Sequence, residues 1–180
     1  VVYSLLRRPA RRSSAIRSRG VHMAKHEIKT LKKKEKIVLA SGVFDLLHLG
    51  HVKYLEKAKR SGGKNAKLLV IVARDKTVEK KKGEKPVLPE DYRRALVESL
   101  KVVDEALLGY EEFDMGKVIE NIKPDIIAVG YDQNQIEVQV RKAVNEKGLK
   151  IQVVKIGRFG KPELNSSLKI KRKIAELYRK

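Results

Sequence analysis

Cysteine is absent from the 180-residue chain, so neither a disulfide framework nor a cysteine metal site is available. No apolar run approaches the roughly 20 residues that cross a bilayer, and the beginning of the chain lacks the sustained apolar core of a signal peptide. These absences predict a soluble, cytoplasmic protein without a membrane partner. The apolar content of 42% is sufficient for the core of one domain.

The net charge of +20 is unevenly distributed. Residues 1–36 hold 12 Lys and Arg against two acids, which is half of the total charge. The remainder is moderately basic, and this suits an enzyme that handles phosphates as well as a nucleic-acid-binding module.

Residues 1–22 contain six arginines, four serines and no acid, a composition typical of a disordered segment. Three interpretations are open: an arm that binds nucleic acid or anionic lipid, a transit peptide, or an extension upstream of a natural start at Met23. We favour the extension. The sequence therefore predicts a basic, disordered N-terminal extension over residues 1–35 and a globular domain over residues 36–180.

From Lys36 onward, short apolar runs alternate with longer amphipathic segments. This pattern is typical of an α/β fold, and it predicts a Rossmann-like, doubly wound sheet of about five parallel strands flanked by helices. The predicted strands are Ile37–Ala40, Leu68–Ala73, Glu105–Leu108, Ile126–Val129 and Ile151–Val154. The predicted helices span about 50–61, 90–101, 114–122, 135–147 and 166–179. A site is expected outside the carboxyl ends of the strands, with Lys80–Pro89 as a mobile loop above them.

The string SGVFDLLHLGH follows the first predicted strand and leads into the first helix. Its histidines, His48 and His51, are three residues apart, which places both imidazoles at the helix start beside free N–H groups. Such a corner suits a phosphate, and Gly50 permits close approach. The alternatives are helix-start hydrogen bonding or a metal pair, but metal binding by histidine alone is disfavoured because no third histidine or cysteine is nearby.

The string GVFDLLHLGH resembles the GxFDxxHxGH signature of the cytidylyltransferase-like nucleotidyltransferases. Within that family, the stretches KPDIIAVGYDQ and SSLKI are most similar to those of archaeal FAD synthases, and the resemblance runs from about Lys36 to Lys173. It implies transfer of AMP from ATP to FMN by in-line attack on the α-phosphate, with release of pyrophosphate. The alternatives are a CTP-dependent glycerol-phosphate cytidylyltransferase and, in another class, a nucleic-acid-binding module acting through the N-terminal arm.

The resemblance also implies residue roles. His48 and His51 would stabilise charge on the α-phosphate as catalytic residues. The nucleotide-binding residues would be Val43, Phe44, His48, Leu49, Gly50, His51, Asp132, Ser166 and Ser167. Asp132 has the alternative role of a turn or cap residue. The alternative role of the serines is to cap the last helix, which is compatible with binding phosphate there.

Further cations are candidates for closing on the triphosphate. They are Lys80, Lys81, Lys82 and Arg93, and their alternative role is a solvated face. Mg²⁺ is expected with the triphosphate, with no metal-binding side chain identified, and relatives are commonly homodimers. Aromatic residues that could stack on flavin are scarce; the candidates are Phe44, Tyr131 and Phe159.

Overall fold

A computed structural model of the protein describes residues 35–112, 114–159 and 165–179. In chain order its elements are β1 Ile37–Gly42, α1 Leu49–Ser61, β2 Lys67–Val72, α2 Asp75–Lys82, α3 Glu90–Glu98, β3 Glu105–Leu108, α4 Met115–Ile122, β4 Ile126–Gly130, α5 Asn134–Glu146, β5 Gln152–Ile156 and α6 Ser167–Tyr178. The predicted extension falls on residues that lie outside this description, Glu35 excepted, so the domain boundary stays a prediction.

The five strands form one parallel sheet in the order β3-β2-β1-β4-β5. Leu39 at the centre of β1 lies opposite Leu69 of β2 and Ile127 of β4. From β1 the chain adds β2 and β3 on one side of the sheet, then returns to the centre and adds β4 and β5 on the other side of β1. In such sheets a ligand binds outside the carboxyl ends of the strands where the order reverses, and the predicted Rossmann-like fold is confirmed.

Two apolar cores cover the two faces of the sheet, because successive side chains of a strand point to opposite faces. On one face, Leu55 of α1 and Val97 of α3 pack over Val38 and Val70. On the other face, α4 and α5 pack over the alternate strand residues. That second core includes Leu39, Leu69, Ile71, Ile127, Val129, Val118, Ile119, Ile122 and Val140. Strands β2 and β4 are buried on both faces, as their continuous apolar runs indicate.

The prediction of a loop beginning at Lys80 is wrong. Residues 80–82 are the last turn of α2, and the helix ends at Gly83, whose φ of 75° is left-handed. Lysine is a good helix former, so the basic run continues the helix until the glycine stops it. Only residues 83–89 connect α2 to α3 without regular structure.

The side of α3 that packs on the sheet carries Arg93 and Val97, and Tyr92 and Leu96 lie on other sides of the helix. Tyr92 and Leu96 are 66% and 41% exposed, whereas Arg93 and Val97 are fully buried. Helix α6 likewise has no buried residue, and its Ile174 and Leu177 are exposed. Among the described helices, none combines the length and the apolar content that crossing a bilayer requires.

Candidate active site

A cavity of about 730 Å³ opens at the carboxyl ends of β1, β2 and β4. The starts of α1, α4, α5 and α6 and the end of α2 form its walls. The predicted site residues that line it are Val43, Phe44, His48, Gly50, His51, Lys81, Lys82, Asp132, Ser166 and Ser167. Three predicted residues do not: Leu49 has a 62% exposed side chain, Lys80 lies on the outer side of α2, and Arg93 is buried.

The imidazoles of His48 and His51 stack at the start of α1, with ring centroids 3.8 Å apart and an angle of 22° between the rings. Nδ1 of His51 accepts a 3.4 Å hydrogen bond from the backbone N–H of His48. In a neutral imidazole this assigns the proton to Nε2, which is then a donor. Nδ1 of His48 is buried and has no protein partner. A Cβ at Gly50 would lie 2.9 Å from the His48 ring, so any side chain at position 50 would displace that imidazole.

Burial keeps both histidines neutral. It lowers the pKa of His48, and it is the main cause that lowers the pKa of His51 from 6.5 to about 3. The charges of His48 and Lys82 lower the pKa of His51 further, against an opposing effect of Asp45. At neutral pH the pair therefore offers N–H groups to a ligand without carrying positive charge.

The N-termini of α1 and α6 both meet the cavity. Neither helix has an acidic residue in its first turn, whereas α3 has Glu90 and Asp91 there. The positive end of a helix dipole attracts an anion, and a carboxylate in the first turn would compete with one. Oγ of Ser166 accepts from the N–H of Lys169 at 3.4 Å and caps α6. Two acid-free helix starts on one cavity favour a ligand with several phosphates.

The turn over residues 43–47 carries backbone strain. Phe44 and Leu46 have φ values of 55° and 46°, in the left-handed region that bulky residues avoid. Such strain persists only where the surroundings over-determine the conformation. The turn is held at three places: by Arg93, by the carboxylate of Asp45, and by a hydrogen bond from the Ser167 hydroxyl to the Asp45 carbonyl.

Arg93 holds this turn from below. Its side chain is 0% exposed and donates to the carbonyls of Val43 at 2.5 Å, Ala73 at 2.8 Å and Leu88 at 2.9 Å. It also donates to Oδ1 of Asp75 at 2.6 Å. The guanidinium predicted to contact phosphate thus lies beneath the cavity, where it joins the ends of β1 and β2 to the segment before α3.

The family model described as cytidylyltransferase-like matches residues 39–173. The chain belongs to the cytidylyltransferase-like family. A relative named FAD synthase from Methanobrevibacter smithii is 48% identical over 79% of this chain and 92% of its own length.

Two solved structures share the fold. A protein from Thermoplasma volcanium, named as a lipopolysaccharide core biosynthesis protein, has a TM-score of 0.63 and 43% identity, and the match covers 69% of this chain and 98% of that one. A pantoate-β-alanine ligase from Francisella tularensis has a TM-score of 0.58 at 14% identity, covering 87% of this chain and 76% of that one. The ligase is similar in fold alone.

Sequence reasoning missed several residues of this cytidylyltransferase-like site. Oδ2 and Oδ1 of Asp45 accept from the N–H groups of Val87 and Leu88 at 3.0 and 3.1 Å. Nζ of Lys171, on α6, lies 3.8 Å from Asp45 and 3.2 Å from Glu84. Asp45 is the aspartate of the GxFDxxHxGH string, so its place in that signature is a signal that could have identified it. Nothing local singles out Lys171, because its partners are more than 80 residues away.

The end of β4 forms the other side of the cavity in this cytidylyltransferase-like domain. Asp132 is exposed there, in a turn closed by the Gln133 N–H and the Gly130 carbonyl. The Gln133 side chain accepts from Gly130 at 2.7 Å and donates to the carbonyl of Ser41 at 2.9 Å. The turn role considered for Asp132 and a ligand-binding role are therefore compatible.

The low pKa of His51 leads to a prediction about stability. Unfolded His51 takes up a proton near pH 6.5 and the folded residue only near pH 3, so between these values the unfolded state binds more protons. The stabilisation is complete above pH 6.5 and is lost as the pH falls, by up to about 1.4 kcal/mol per pH unit.

Urea unfolding at a series of pH values measures this effect. We expect the free energy of unfolding to fall less steeply in His51→Asn than in the unmodified protein below pH 6.5. Parallel curves for the two proteins would show that His51 does not titrate abnormally.

Proposed function

We propose that this protein is an FMN adenylyltransferase, an FAD synthase that transfers AMP from ATP to FMN. The observation that carries the reaction type is the pair of neutral imidazoles at the start of α1, facing the same cavity as the acid-free start of α6. The choice of substrates follows the relative named FAD synthase, which is 48% identical over 92% of its length.

In the proposed reaction an ionised phosphate oxygen of FMN attacks the α-phosphorus of ATP. The new P–O bond forms as the bond to the β-phosphate oxygen breaks, and pyrophosphate leaves. A phosphate oxygen that is already ionised needs no general base. Catalysis is then positioning together with stabilisation of the charge that develops on the α-phosphate.

Different residues of the cavity bind different phosphates of ATP in the proposed reaction. His48 and His51 donate N–H groups to the α-phosphate, and Gly50 allows the phosphate to approach the backbone. The start of α6, with Ser166 and Ser167, receives the β- and γ-phosphates. Lys81 and Lys82 supply positive charge from the opposite wall.

Mg²⁺ is part of the proposal as a partner of the triphosphate, whose charge it would partly neutralise. Among the described residues no group of three His, Asp or Glu side chains could hold a metal. Mg²⁺ is usually bound through substrate phosphates and few protein ligands, so the ion is expected on the phosphate oxygens of ATP. The predicted homodimer and cytoplasmic location stay predictions, to be tested by sedimentation and by cell fractionation.

The substrate prediction is tested by pairing each nucleotide with each acceptor. Purified protein with ATP, FMN and Mg²⁺ is expected to form FAD and pyrophosphate in equal amounts. Chromatography measures both products. EDTA should stop the reaction, and added Mg²⁺ should restore it. Activity with CTP and glycerol phosphate, but none with ATP and FMN, would overturn the assignment while leaving the reaction type intact.

A further inference from the structure

The lining of the cavity has two chemically different parts. Around the histidines, Asp132 and the start of α6 it is polar. Between the sheet and helices α2 and α4 it is apolar, and we name this part the apolar arm. Its residues are Leu39, Ile71, Val78, Met115, Val118 and Ile136.

The apolar arm lies where the second core meets the cavity, and some of its residues keep more surface than the core residues beside them. Met115 and Val118, at the start of α4, are 7% and 6% exposed, whereas Ile119 and Ile122 of the same helix are 2% and 1% exposed. The same change occurs along β2, from 2% at Leu69 to 8% at Ile71. In both elements the buried apolar residues that keep more surface are the ones that line the cavity.

Tyr110 borders the apolar arm and is held from two sides. Its hydroxyl accepts a 2.6 Å hydrogen bond from the Asn121 side chain of α4. The Thr77 hydroxyl of α2 donates a 2.9 Å hydrogen bond to the carbonyl of Glu111, the residue that follows Tyr110. The ring therefore sits at a fixed place between the two helices that form the arm, and an aromatic side chain of this kind can contact a planar ligand.

The chemistry of the apolar arm selects among ligands. A phosphate, a ribose or glycerol phosphate has little apolar surface to bury, so none of them gains from contact with this lining. A fused aromatic ring system has a large apolar surface and gains free energy when it is buried against this lining. The polar part, with Asp132 and the exposed Tyr131, suits the nucleoside of the triphosphate, which leaves the apolar arm to the acceptor.

We propose that the apolar arm binds the isoalloxazine ring of FMN and so determines the acceptor. This inference rests on the proposed function and places the flavin away from two aromatic residues considered from sequence, Tyr131 and Phe159. The third, Phe44, is 2% exposed and packs against His51, so it offers almost no surface to a ligand. The ring enters between α2 and α4, and its phosphate points toward the histidines.

The experiment fills the arm at Val118. Val118→Phe is expected to raise KM for FMN at least tenfold and to leave KM for ATP within twofold. Val118→Leu is the milder variant and should give an intermediate KM for FMN even if the phenyl group impairs folding. Val140→Leu is the matched control, because Val140 is 0% exposed in the same core and does not line the cavity.

Two further measurements separate this inference from the proposed function. Binding of FMN, followed by flavin fluorescence without ATP, should weaken in Val118→Phe and not in Val140→Leu. Ribitol 5-phosphate, which lacks the ring, should be a poor acceptor whose KM is the same in the unmodified protein and in Val118→Phe.

The outcomes are distinct. Unchanged FMN binding and KM in both Val118 variants would overturn the apolar arm as the flavin site, with FAD synthesis intact. A rise in KM for ATP instead would show that the arm holds adenine, which also overturns it. FMN binding that depends on Val118 without any FAD formation would support the arm and refute the proposed reaction.

Discussion

Alanine in place of His48 is expected to lower kcat for pyrophosphate release by about 10²- to 10³-fold, the usual effect of removing one preorganised donor to a developing charge. KM for ATP should change much less, because the interaction strengthens in the transition state. The same change at His51 should have a similar effect. The rings stack at 3.8 Å and, in the proposed mechanism, both donate to the α-phosphate, so the double variant should lose less than the product of the two single losses.

Stability separates this catalytic effect from unfolding. Nδ1 of His48 has no close hydrogen-bond partner, and its side chain faces the backbone of the first turn of α1 as a helix cap. Loss of a cap costs about 1 kcal/mol, so the free energy of unfolding should fall by about that amount and the protein should stay folded. Lys53→Ala, on the same helix and outside the cavity, is the matched control and should retain kcat. A folded His48→Ala protein with near-normal kcat would refute the mechanism.

Methionine in place of Arg93 is expected to cause the largest loss of stability, about 3–5 kcal/mol. The change removes four hydrogen bonds and leaves three partly buried carbonyls and Oδ1 of Asp75 without the guanidinium. Urea unfolding measures the loss. Arg93→Lys should recover only part of it, because an ammonium group cannot reach the same fork of acceptors.

The neighbouring arginine is the control for this prediction. Arg94 pairs with Glu98 at 2.7 Å on the outside of α3, with its side chain 32% exposed. Exposed pairs of this kind contribute about 0–1 kcal/mol, so Arg94→Met should be nearly neutral. Equal losses at the two positions would show that Arg93 does not hold the turn.

The sheet and the meeting of the two histidines at the start of α1 could be predicted because their signals are local. Each strand is a short apolar run, and the histidines, Gly50 and the start of α1 lie within one string of eleven residues. The two serines at the start of α6 also carry a local signal, since Ser is a common helix cap. The structure brings these segments to one cavity because parallel strands end at the same edge of the sheet.

The remaining features depend on partners that are distant in sequence. Arg93 looks like a surface cation of an amphipathic helix, and only the carbonyls of Val43 and Ala73 make it a buried residue. Their orientation follows from how β1 and β2 end, which no pattern near residue 93 encodes. The apolar arm is a similar case. Val118 and Ile71 have the sequence pattern of ordinary core positions, and only the cavity between elements distant in sequence leaves part of their surface exposed.

The link between Asp45 and residues 87 and 88 bears on how the site meets its ligand. Two hydrogen bonds from the connection between α2 and α3 to the Asp45 carboxylate fix this connection against the β1–α1 turn. Lys171 lies between Asp45 and Glu84 and pairs with both carboxylates. Order in this connection is thus acquired when the chain folds, and little conformational entropy is left to lose when a nucleotide arrives. The site is preorganised, and the attraction between phosphates and their donors can go into affinity and rate rather than into arranging the backbone.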